Sequence, residues 1–175
     1  MNKQQTNKLA KALAEFLAEY FEQKQELKLE VEEHNFRVDS TGWKKIEIDG
    51  YDFLENPEQD IWEMINCDDK ELNGEQLFTW DAAMRETKKA GKRMPTNEEW
   101  DEILKNNRDN LPNIKHAGFR DTNGSYGPRS RSTYLWSSTQ VVDSAWTRRL
   151  SYTHTDVDRY ERSKAYGFSV RCLRD

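Results

Sequence analysis

Cysteine is scarce in this chain, with Cys67 and Cys172 the two thiols among 175 residues. That excludes a disulfide-stapled scaffold, which needs several bridges to make up for a small core. Cys172 alternates with Val170 in an apolar terminal stretch, so a buried free thiol is expected there, with a Cys67–Cys172 bridge as the lesser alternative. The three histidines, His34, His116 and His154, stand far apart, and none is spaced with Cys or another His as metal ligands are. There is no GxSxG elbow, no phosphate-binding glycine loop and no zinc signature. Neither an enzyme, a metal nor a cofactor is therefore expected. No apolar run approaches the ~20 residues of a membrane span. The opening MNKQQTNKLAKALAEF breaks its apolar positions with Lys and Glu, unlike the continuous core of a secretory signal. Synthesis in the cytoplasm without a signal peptide is the expectation.

What is present suits one domain. Hydrophobic content is 35%, yet six Trp, seven Tyr and seven Phe supply large side chains for a core. Charge is uneven: residues 124–175 carry nine Lys and Arg against five Asp and Glu, +4 net, leaving −9 for the rest of a −5 chain. Spread over some fifty residues, that positive charge lacks the density of a nucleic-acid footprint, so nucleic acid is not the expected partner.

Residues 1–33 are expected to form an amphipathic helix and a connector. Leu9, Leu13, Phe16, Leu17, Tyr20 and Phe21 recur at spacings of three and four, while Lys8, Lys11, Glu15, Glu19 and Glu22 lie elsewhere. The stripe is expected to pack on its own domain; self-association or attachment to a carrier protein are the alternatives. From Leu27 the period changes, and Leu27, Leu29 and Val31 alternate with Lys28, Glu30 and Glu32, as in a short exposed strand or a frayed helix end.

Residues 34–175 then read as an α+β domain. Trp43 to Phe53 alternates around an Asp49-Gly50 hairpin turn. Ile61, Trp62 and Ile65 suggest a short helix or an irregular stretch. A helix is expected from Thr79 to Ala90, ended by Gly91, with Trp80, Ala83 and Met84 inward. Another opens at Pro95-Thr96, where Thr96 and Glu99 can form a capping box, and points Trp100, Ile103 and Leu104 inward. The C-terminal half is loop-rich, punctuated by Pro112, Gly118, Gly124, Gly127 and Pro128, with short strands at Tyr134–Ser138, Ala145–Tyr152 and Ala165–Arg171. Asp121 to Gly124 looks like the start of a calcium loop, but no acidic residue closes it, and a plain turn is the expectation.

Five segments carry a family resemblance: QLFTWDAAM (Gln76 to Met84), RMPTNEEW (Arg93 to Trp100), HAGFRDTNG (His116 to Gly124), YLWSSTQ (Tyr134 to Gln140) and the terminal YGFSVRCLRD (Tyr166 to Asp175). In order and spacing they resemble the Fibrobacter succinogenes major paralogous domain, a branch of the C-type lectin-like fold. The resemblance covers about residues 45 to 175. It implies two helices, short antiparallel strands and an early strand near Ile46–Phe53 paired with a final strand around Phe168–Cys172. It also implies that polar loops between Tyr134 and Ala165 form one exposed ligand-binding face. RMPTNEEW further resembles sulfatase-modifying enzymes of the same fold. Those enzymes place a reactive cysteine pair before the final strand, whereas residues 136–167 contain no cysteine here.

One more absence bears on function. All twelve Asn and thirteen of fourteen Lys lie in residues 1–123, whereas residues 124–175 hold nine Ser, five Thr, five Tyr and eight Arg. Asn and Lys have adenine-rich codons, and adenine-directed mutagenesis would scatter such replacements. The pattern is similar to that of diversity-generating retroelement variable proteins, many of which use C-type lectin-like folds. Chance, or a strand-and-loop region that favours Ser, Thr and Tyr for their β propensity, is the alternative; the fold resemblance favours the retroelement reading.

The resemblance thus implies a non-enzymatic ligand-binding protein with a variable region at 130–165. Its expected ligand contacts are Trp146, Arg148, Tyr152, His154, Asp156, Arg159 and Tyr160, and its expected partner is a protein or cell-surface ligand. Placement on a virion or cell surface after assembly would follow. The alternatives are an envelope adhesin or structural module of the same family, and a degenerate sulfatase-modifying-type enzyme. Gly167, Phe168, Val170 and Cys172 are expected to be scaffold, the glycine for backbone freedom.

Overall fold

Capping residues open two of the helices, and the strands make two sheets. The computed structural model describes residues 2–26, 29–105, 110–127 and 131–174; Leu27, Lys28 and Pro128 lie outside the described residues. The protein is a mixed α+β structure with, among those residues, three α-helices and two antiparallel sheets. Helix α1 spans Lys3–Glu26. Strands β1 (Lys44–Ile48), β2 (Tyr51–Glu55), β3 (Ile61–Met64) and β4 (Gln76–Phe78) form the first sheet in that order. Helices α2 (Trp80–Lys89) and α3 (Asn97–Leu104) follow. The second sheet has the order β5 (Ser132–Val141), β6 (Ser144–Ser151), β7 (Val157–Ser163).

The local expectations for the helices hold. Thr79 accepts from the Ala82 N–H at 3.3 Å to cap α2, and Gly91, at φ 69°, closes its far end. At α3, Thr96 Oγ1 accepts from the Glu99 N–H at 3.1 Å while Glu99 Oε2 accepts from the Thr96 N–H at 2.8 Å, completing the capping box. Asp49 and Gly50, at φ 51° and 80°, make the β1–β2 turn. Neither Cys67 nor Cys172 is in a disulfide, and both are buried.

Two tryptophans tie the helices to β5, and a third ties β5 to β4. Trp80 Nε1 donates to the Ser137 carbonyl at 2.8 Å, Trp100 Nε1 to the Trp136 carbonyl at 3.2 Å, and Trp136 Nε1 to the Phe78 carbonyl at 2.8 Å. Each indole buries its ring and still satisfies its one donor. Phe168 packs 4.5 Å from Trp136 and stacks on Tyr134 at 4.8 Å, centroid to centroid.

Several expectations are corrected. Ile61 to Met64 form strand β3 rather than a helix or an irregular stretch. All four residues are buried, so the segment shows no alternation from which a strand could be read. The C-terminal half is not loop-rich between Tyr134 and Ala165, since three strands of ten, eight and seven residues fill it. Strand β7 escaped notice because, at the sheet edge, polar residues occupy both of its faces. The stretch 165–171 is not a regular strand: it crosses between the sheets, bridging Phe168 to Phe78 and Ser169 to Leu135. Nor does it pair with Ile46–Phe53, which is one hairpin. The connector takes that place: the Phe36 N–H donates to the Val170 carbonyl at 2.7 Å, the Glu32 N–H to the Cys172 carbonyl at 2.8 Å, and buried Val31 bridges Leu173. Residues 31–33 are thus paired with the domain, and its two ends meet there.

Gly167 is required by space rather than by backbone freedom. A Cβ there would lie 3.0 Å from Arg120 Cβ and 3.2 Å from the buried Trp62 ring. Helix α1 departs furthest from expectation. Every residue from 2 to 21 is exposed, so its apolar stripe does not pack on its own domain.

Candidate functional site

The expected contacts all fall on β6, β7 and the turn between them, and strand register sorts them. Residues directly opposite in an antiparallel pair share a face. Leu135, Arg148 and Arg159 are successive partners across β5, β6 and β7, as are Thr133, Leu150 and Val157. This face receives α3: Trp100 and Ile103 cluster with Leu135 and Leu150. The opposite face carries Trp136, Thr147 and Tyr160, then Tyr134, Arg149 and Asp158. Phe168 and Phe78 pack against that second face.

Trp146, Arg148 and Arg159 therefore lie on the α3 side, and Tyr160 lies on the other. Tyr152, His154 and Asp156 occupy the turn, all three exposed, Tyr152 at 74%. The seven do not form one contiguous patch. Trp146 is half-buried with the Arg159 guanidinium 4.9 Å over its ring. Tyr160 is half-buried with Arg162 at 4.8 Å. Tyr152 meets His116 edge-on at 6.4 Å.

Arg148 is not an exposed contact. It is 2% exposed, and its guanidinium donates to Asn97 Oδ1 and the Asn97 carbonyl at 2.8 Å each and to Asp101 Oδ1 at 2.7 Å. Burial pushes this guanidinium below its ordinary value, while neighbouring Asp101 pulls it back up. The reason is register, which places Arg148 beneath the first turn of α3. It clamps that helix to the sheet.

Arg171 is a second buried arginine, invisible to sequence reasoning because its partners are remote in the chain. It donates to Asn35 Oδ1 at 2.9 Å and to the Pro112 and Glu32 carbonyls at 2.7 and 3.2 Å. Burial lowers it to about 10 against the nearby Glu75 and Glu32 carboxylates. Two of the arginines in the positive C-terminal stretch are thus internal, and Arg149 is paired with Asp158 at 3.3 Å. The sequence bias is also partly internal: Ser132, Thr133, Ser137, Thr147 and Ser169 are all buried.

Arg149, Asp158, Glu161 and Arg162 are the neighbours of the expected contacts on β6 and β7. Alternation within 157–163, set against 144–151, was the available signal for them.

The Asp121–Gly124 segment is a turn. Asp121 Oδ1 accepts from the Thr122 N–H at 2.6 Å, the Gly124 N–H donates to the Asp121 carbonyl at 3.1 Å, and Gly124 sits at φ 90°. Among the described residues, no three His, Cys, Asp or Glu side chains converge as metal ligands would, and no helix is long and apolar enough to cross a membrane. Set against family models, curated proteins and solved structures, the chain matches none.

Proposed function

We propose that this chain is a non-enzymatic binding protein of C-type lectin-like fold, and that a retroelement diversifies the exposed part of its C-terminal sheet. The carrying observation is how the biased segment divides. Trp136, Leu135, Leu150 and Phe168 anchor the sheet in the core, while Tyr152, His154, Asp156 and Arg159 stand in solvent. Half-buried Trp146 lies beneath the Arg159 guanidinium on the same face, and Tyr160 faces the other side of the sheet. Rigid aromatic area beside adaptable Arg, Ser and Thr donors, on a fixed platform, is the chemistry of a recognition surface. In this reading diversification is confined to exposed positions, and the buried Ser, Thr and Arg of the same stretch are scaffold.

The fold assignment draws support from the joined ends of the domain and from α2 and α3 preceding a three-stranded antiparallel sheet. The non-enzymatic reading draws support from Cys172, whose thiol is buried and pushed up to about 12 by that burial. A group held protonated cannot supply the thiolate that sulfatase-modifying chemistry needs. The partner is a protein or cell-surface molecule. Nucleic acid fits poorly, because Arg148 and Arg171 spend their charge inside the domain.

Sequencing the locus tests this reading. The expected result is a near-identical template repeat beside a reverse transcriptase gene, differing from the coding strand only at adenines and only in codons for exposed residues. A locus lacking both would overturn the retroelement reading.

A further inference from the structure

Helix α1 presents an anomaly that the C-terminal face does not absorb. It runs 24 residues, and Leu9, Leu13, Phe16, Leu17, Tyr20 and Phe21 on it are 41–63% exposed. Large side chains offer ~150–250 Å² each, so these six leave roughly 600 Å² of apolar surface uncovered, the upper end of what a monomer's largest patch shows. Phe16 and Tyr20 stack at 6.4 Å, and Tyr20 meets Phe21 at 5.8 Å, so the aromatic rings form one continuous strip. A lone helix without tertiary packing is only marginally stable in water. Something must cover this strip.

Charge along the helix identifies what does. Lys3, Lys8 and Lys11 lie in its first half, and Glu15, Glu19, Glu22 and Glu26, offset by Lys24, lie in its second. A parallel pairing of two copies would set like charge against like. An antiparallel pairing sets each basic half against an acidic one and opposes the two helix dipoles as well. Leu9, Leu13, Phe16 and Tyr20 follow the four-three-four spacing of a helix–helix seam. We propose that α1 is a dimerisation helix whose apolar strip is covered, antiparallel, by α1 of a second copy of this chain. Leu9 then lies opposite Tyr20 of the second copy, and Leu13 opposite its Phe16. The contact is isologous and closes at two copies. The dimer carries two binding sheets, one at each end of the paired helices, and gains avidity on a ligand displayed in many copies.

Sedimentation velocity on the full chain over a concentration series tests the association. The expected result is a dimer that dissociates on dilution. The Leu13→Glu/Phe16→Glu double variant should lose the dimer at every concentration while keeping the thermal transition of the sheet domain. Orientation is read by mixing Leu9→Cys with Tyr20→Cys under mild oxidation, since the native Cys67 and Cys172 are buried and stay out of the reaction. A dominant disulfide joining one variant to the other is expected. A wild-type chain that stays monomeric, a trimer or higher species, or dominant Leu9→Cys homodisulfides would each overturn the proposal. So would a monomer that instead binds anionic phosphatidylserine vesicles through the strip.

Discussion

Replacing Arg148 by Ala separates a structural arginine from a recognition arginine. Its guanidinium makes hydrogen bonds of 2.7–2.8 Å to Asn97 Oδ1, the Asn97 carbonyl and Asp101. The Asp101 side chain is 58% exposed, so water can replace the lost partner there. Asn97 is only 8% exposed, and its Oδ1 would lose the arginine donor while buried. An unsatisfied buried acceptor costs ~1–3 kcal/mol, and the arginine stem packs apolar surface besides. The expected loss is about 3 kcal/mol, short of the ~3–5 kcal/mol for stranding a fully buried charge. At ~2–4 °C per kcal/mol for a domain this size, Tm should fall by roughly 6–12 °C. Arg148→Met, which restores the stem but not the bonds, should recover part of that loss. Arg159 is the comparator: 49% exposed and 3.7 Å from Asp101, it should cost no more than ~0.5 kcal/mol as Ala. Urea melts of the three variants decide the matter. Equal stability for Arg148→Ala and Arg159→Ala would refute the clamp.

Further outcomes follow from the same packing. Phe168→Ala and Trp136→Ala should each cost about 3–5 kcal/mol in denaturant melts, because both side chains are fully enclosed. Gly167→Ala should cost about 1–3 kcal/mol, since neither the Trp62 ring nor Arg120 Cβ can give way freely. Glu99 is held below the usual carboxylate range, first by its Arg93 partner and also by the Thr96 N–H. Its stabilisation is therefore present above the unfolded value of about 4.3 and is lost as pH falls through the lower folded value. Glu99→Gln should lower Tm at pH 7 and flatten the acid limb of a Tm–pH profile. Iodoacetamide should leave Cys67 and Cys172 unmodified in the native protein and modify both in urea, as mass spectrometry would show.

Local chemistry was the part most legible in the sequence. Thr79, Gly91, the Thr96–Glu99 box and the Asp49-Gly50 turn are decided by residues within four positions of one another, and all four sit where expected. Contacts across the chain were less legible. A buried central strand such as β3 shows no period, and an edge strand such as β7 shows too many polar residues. Arg148 looked like a surface residue because its partners Asn97 and Asp101 lie about fifty positions upstream. The candidate face suffered most, because alternation splits Trp146 and Arg159 from Tyr160 in a way that a bare list of polar residues conceals.

A saturation library over residues 131–166, sorted for folded protein and sequenced, tests most directly whether the C-terminal sheet is a rigid platform with a replaceable surface. Broad tolerance is expected at Tyr152, His154, Asp156 and Arg159, and near-invariance at Trp136, Arg148 and Leu150. If the first group proved as restricted as the second, the exposed residues would be part of the fold, and their reading as a diversified recognition face would be wrong.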